Sequence, residues 1–117
     1  MQIKTYKDLI VWQKAMDLVK EIYHVTKLMP KSETYILISQ MLRAAISIAS
    51  NIAEGYKRNH KNEYIQFLGM ANASAGELET QILIAKAEYP KIDFSKAEGL
   101  VVEVQKISHT LILKLRS

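Results

Sequence analysis

The sequence predicts an all-α fold, one antiparallel up-and-down four-helix bundle in which residues 1–117 form a single domain. Three observations predict it. Glycine and proline are scarce, four and two in 117 residues, and Pro30, Gly55 and Pro90 cut the chain into four segments of helical length. No stretch alternates apolar and polar residues like a half-buried strand, and the short apolar runs lie inside longer patterns of helical period. The connections are short, which sets neighbouring helices antiparallel. Helices are expected over about residues 6–28, 33–54, 61–88 and 95–115.

In the first segment Leu9, Trp12, Ala15, Met16, Leu18, Val19, Ile22, Tyr23, Val25 and Met29 fill an arc of roughly 200° on a helical wheel. A bundle helix covers its own core with an apolar stripe of about 100°. The surplus points to a second buried contact outside the monomer, with Trp12 as a candidate contact residue.

The second segment has Ser32 as an N-cap candidate and Gly55 as a natural residue just past a helix end. Between Thr34 and Glu54 its only charges are Arg43 and Glu54. Gln40, Arg43, Ser47, Asn51 and Glu54 recur at spacings of three or four and so line one face. A solvated face is normally rich in Lys and Glu, whereas this one carries mostly short neutral hydrogen-bonding groups. The stripe therefore reads as a contact surface, between helices or between subunits, ahead of a solvent face or a ligand site. Glu54 in the last turn opposes the helix dipole, which calls for a cation beside it, either Arg58 or Arg43 of a neighbouring subunit.

The third segment follows the basic turn Tyr56–Lys61, and its inward stripe is Tyr64, Phe67, Leu68, Ala71, Ala75, Leu78, Ile82 and Ala85. Small residues dominate from Gly69 to Gly76, which allows either close approach of another helix or an ordinary bundle contact filled from the other side. The fourth segment carries a narrow stripe, Ala97, Leu100, Val101, Val104, Ile107, Leu111 and Leu115, suited to covering one core with a polar back to water.

Charge and chemistry narrow the function. Sixteen Lys and Arg against twelve Asp and Glu give a net charge of +4, a mild basic bias that association would multiply. Lys57, Arg58, His60 and Lys61, flanked by Tyr56 and Tyr64, are candidates to hold nucleic-acid phosphate beside a stacking aromatic; a solvated basic turn is the plainer alternative. Lys4, Lys7, Lys14, Lys20, Lys27 and Lys31 add positive charge to the first third of the chain.

The absence of cysteine removes disulfides, thiolate metal sites and thiol catalysis, and suits a reducing compartment. No signal-like core follows the basic start and no apolar run approaches a membrane span, so a cytoplasmic protein without a membrane partner is expected. Glu21 and His24 match a bundle metal motif once, but on the polar arc and without a second copy. No metal, no cofactor and no catalytic residues are expected. Phosphate-binding and nucleophile-elbow loops are absent from the sequence.

The blocks YKDLIVWQKAMDL, SQMLRAAISIASNIAEGYKR and EYIQFLGMANASAGELETQILIA make the chain resemble the 23S rRNA intervening-sequence proteins. Some relatives in that family are accessory proteins of diversity-generating retroelements. The middle block is the most specific. The resemblance implies an up-and-down four-helix monomer, assembly into a homopentamer with a central channel, and no enzymatic activity. The retroelement relatives look like basic, barrel-shaped adaptors that bind nucleic acid and a reverse transcriptase, so the resemblance points to RNA or DNA and a nucleic-acid-handling protein as partners. Arg43, Ser47, Asn51, Glu54, Gly55 and Arg58 fall on the family's recurring positions. The competing expectation is a protein-interaction scaffold with no nucleic-acid role.

Overall fold

The computed structural model describes residues 2–117, and among them every regular element is helical. Four α-helices carry the core: α1 Ile10–Thr26, α2 Ser39–Tyr56, α3 Lys61–Glu88 and α4 Ser95–Arg116. Each packs on the next and α4 closes on α1, with the α2–α3 contact the most extensive. The molecule is 44 Å long by 25 and 20 Å across, the length that a helix as long as α3 spans at about 1.5 Å per residue.

The first helix does not start at Tyr6. Tyr6–Asp8 form a separate 3-10 turn, because Thr5 and Asp8 make a reciprocal cap: the Thr5 hydroxyl accepts from the Lys7 N–H, and the Asp8 carboxylate accepts from the Lys4 and Thr5 N–H groups. Leu9 then turns to extended geometry, with ψ of 127°, before α1 begins. Trp12 stands half-buried with its ring edge-on to Tyr6 at 5.3 Å, so part of the wide apolar arc is covered inside the monomer.

The second segment is helical from Lys31, but not in one register. A 3-10 turn over Lys31–Glu33, entered from Pro30, is followed by a π-turn over Thr34–Ile38, where the Ser39 N–H reaches the Thr34 carbonyl. Ser32 lies inside the 3-10 turn rather than capping a helix, and the Thr34 hydroxyl donates to the Lys31 carbonyl at 2.7 Å. The wider turn buries Leu37 while leaving Tyr35 at 93% and Ile36 at 65% exposure.

Gly55 also departs from expectation. It is buried inside α2, with no left-handed backbone, and the helix continues to Tyr56. A Cβ there would meet Phe67 Cβ at 2.8 Å, Tyr64 Cδ1 at 3.1 Å and the Tyr64 carbonyl at 3.3 Å. Its absence is what lets the end of α2 lie against the start of α3. Gly69 and Gly76, by contrast, have open space where a side chain would go, so neither is a point of close approach between helices.

The core is continuous, with Leu18, Ile22, Met41, Ile48, Ile52, Leu68, Leu78, Ile82 and Phe94 among its largest buried side chains. One sequence expectation needs correction: by length and composition alone, the helical stretch Lys31–Tyr56 is long and apolar enough to cross a membrane. In this fold its inward side, Met41, Ala45, Ile48 and Ile52, is wholly covered by the other helices.

Candidate nucleic-acid interface

Alternation of direction gathers separate stretches of sequence at one end of the bundle. The starts of α1 and α3 and the ends of α2 and α4 meet there, and residues 2–18, 48–74 and 105–117 carry nine Lys or Arg against four Asp or Glu. The rest of the described chain carries seven against eight. The whole positive excess therefore sits at one end, a dipolar layout whose field draws polyanions toward that end.

The basic turn between α2 and α3 lies at this end, but its residues do different things. The Arg58 guanidinium bonds Glu54 at 3.1 Å, reaches Glu63 at 3.9 Å and stacks over the Phe67 ring at 4.7 Å. Arg58 is thus a clamp holding the turn to α3, and it is the cation that Glu54 requires. Lys57, His60 and Lys61 are exposed. Among the described residues Lys57 and Lys61 make no ion pair, and neither do Lys4, Lys7, Lys106, Lys114 or Arg116. Tyr56 and Tyr64 meet edge-on at 6.1 Å; burial, then the neighbouring Tyr56, pushes the Tyr64 phenol up to about 12.

Lys106, Lys114 and Arg116 escape a reading of the linear chain because they belong to a helix with an ordinary polar back. Summing charge by bundle end, once the up-and-down order is assumed, brings them out. The lysines of the first third divide: Lys4, Lys7 and Lys14 lie at the basic end, Lys27 and Lys31 at the opposite one, and Lys14 pairs with Glu103 at 3.4 Å.

The polar stripe on α2 splits as well. Ser47 and Asn51 enter the α2–α3 seam: the Ser47 and Ser74 hydroxyls are 2.9 Å apart, and Asn51 Nδ2 donates to the Ser47 carbonyl and hydroxyl at 2.9 and 3.0 Å. Gln40, Arg43 and Glu54 stay exposed. Beside them Ile36 in the π-turn that leads into α2, Ile46 on α2, and Met70 and Ile84 on α3 are exposed apolar side chains. The outer side of α2 and α3 is thus poor in charge and partly apolar. No three His, Asp or Glu side chains among the described residues come close enough together to hold a metal.

Against known proteins, the family model described as 23S rRNA-intervening sequence protein matches residues 7–112. A crystal structure of a protein with unknown function from the S23 ribosomal protein family of Bacteroides thetaiotaomicron superposes with a TM-score of 0.79. It is 20% identical, and the match covers 88% of this chain and 98% of that one. At that identity the likeness is one of fold. No curated protein matches.

Proposed function

The chain belongs to the 23S rRNA-intervening sequence protein family, and from that premise we propose that it is a non-catalytic, self-associating adaptor that binds nucleic acid through the basic end of its bundle. The observation carrying this reading is the segregation of charge: seven lysines and arginines without an intramolecular ion pair share one end of the molecule. Binding by such a surface is governed by phosphate contacts and counterion release rather than base reading. Lys57 and Lys61 are its most direct contacts, with His60 between them on the same turn. Arg58 supports the surface by fixing the turn.

Self-association through the outer side of α2 and α3 fits the same reading. An exposed side with Ile36, Ile46, Met70 and Ile84 and few charges is unusual for a lone monomer. Assembly in a ring, a homopentamer in the family resemblance, would set several basic ends side by side and steepen the salt dependence. The test is fluorescence anisotropy with labelled duplex DNA and structured RNA across a salt series. Affinity persisting near physiological salt, with a log–log slope of several phosphates, is the expected result. Binding that vanishes with modest salt favours the second reading, a protein scaffold without a nucleic-acid role, for which the uncharged α2–α3 side is the motivating observation.

A further inference from the structure

A second surface lies at the same end of the bundle, on the side of α1 and α4. Where the start of α1 runs beside the last turns of α4, the helices leave an open groove of about 330 Å³. Leu9, Ile10, Ile107 and Leu111 make its floor, and Lys106 and Lys114 stand on its rim. No acidic side chain lines it. The nearby acids are engaged elsewhere, Glu103 with Lys14 and Asp8 with the backbone of Lys4 and Thr5. Ile10 is left 52% exposed by it, a β-branched apolar side chain at the first turn of a helix with nothing over it.

We infer that this groove docks a short acidic amphipathic helix of a partner protein. The apolar floor calls for an apolar stripe at helical spacing, the usual way a helix seats in a groove. The rim sets the charge: Lys106 and Lys114 lie about 12 Å apart along the axis of α4. They match acids two helical turns apart on the incoming segment, while a basic partner would be repelled. The groove is open along its length and so suits the side of a helix better than an enclosed small molecule. The groove shares Lys106 and Lys114 with the basic end of the nucleic-acid reading, but the basic turn contributes nothing to it, so changes at Lys57 and Lys61 separate the two.

The probe is a labelled helical peptide of about 14 residues, Leu on the i, i+3, i+4, i+7 face and Glu elsewhere, titrated into the full-length protein. Saturable binding is expected, weakened at least about tenfold by Lys106→Glu with Lys114→Glu, and likewise by Thr110→Glu, an exposed substitution inside the groove. Lys57→Glu with Lys61→Glu should leave it within about twofold. Absence of saturation overturns the inference. So does equal loss from the Lys57 and Lys61 changes, which would mark a general attraction of acid to the basic end. A lower assembly mass for Thr110→Glu in light scattering would also overturn it, by giving the groove to a second copy of this chain.

Discussion

Replacing Gly55 by Ala tests the packing that supports the basic turn. The added methyl would lie 2.8 Å from Phe67 Cβ and 3.3 Å from the Tyr64 carbonyl, both fixed to the backbone of α3 rather than to the tip of a flexible side chain. The helices must therefore move apart, and forcing a methyl into such a contact costs about 1–3 kcal/mol. Gly55 has ordinary helical backbone geometry, so Ala also returns about 0.8–1 kcal/mol of helix propensity. The sum is a net loss of up to about 2 kcal/mol, or up to about 1 M in urea midpoint. Gly99→Ala supplies the matched comparison: nothing lies within 4 Å of a Cβ there, so the propensity term acts alone and stabilises by about 0.5–1 kcal/mol. The assay is urea unfolding followed by circular dichroism at fixed protein concentration. Opposite signs for the two variants are expected. If Gly55→Ala stabilises as much as Gly99→Ala, the close approach of α2 and α3 is refuted.

Other outcomes follow from the same geometry. Ser47→Ala removes the contact with Ser74 and one acceptor of Asn51, and should cost about 0.5–1.5 kcal/mol; a double-mutant cycle with Ser74→Ala should show non-zero coupling in urea denaturation. Arg58→Ala loses the Phe67 stack and the half-exposed Glu54 pair, with an expected cost of about 1 kcal/mol and a smaller effect on nucleic-acid affinity than Lys57→Glu. The Tyr89 hydroxyl donates to the Glu33 carboxylate, tying the α3–α4 connection to the α1–α2 connection. That bond, then desolvation and the nearby Glu33 and Glu88 charges, push the Tyr89 phenol up to about 12. The protonated phenols of Tyr89 and Tyr64 therefore belong to the folded state. Their contribution is intact below their ordinary value of 10.0 and is lost as pH climbs through about 12. Urea midpoints measured over that range should fall less steeply for Tyr89→Phe than for the unsubstituted protein.

The helical class and the ion pair of Glu54 are legible in the linear chain because both rest on local rules, helical period and the helix dipole. Gly55 is ambiguous in the linear chain for a physical reason: a glycine near a helix end serves equally as a left-handed cap or as a gap for a neighbouring helix. Only the position of Phe67 and Tyr64 decides between them. The π-turn at Thr34–Ile38 is hidden because its residues keep a helical pattern while the register slips by one. On a wheel the stripe on α2 is one surface, whereas in the fold Ser47 and Asn51 face α3 and Gln40, Arg43 and Glu54 face outward; a wheel gives spacing but not which neighbour stands where. The groove at Leu9 and Leu111 joins opposite ends of the chain, so no local pattern reports it.

Charge reversal at both ends of the bundle tests the central claim most directly. Lys57→Glu with Lys61→Glu alters the basic end; Lys27→Glu with Lys91→Glu makes the same change in net charge at the opposite end. Both pairs are exposed. Binding to labelled duplex DNA and structured RNA is then measured at matched, near-physiological salt. The account predicts that the first pair lowers affinity at least about tenfold and flattens the salt slope, while the second changes it by less than about threefold. Equal losses from both pairs, or no loss from the first, would contradict the claim that the basic end is the nucleic-acid surface.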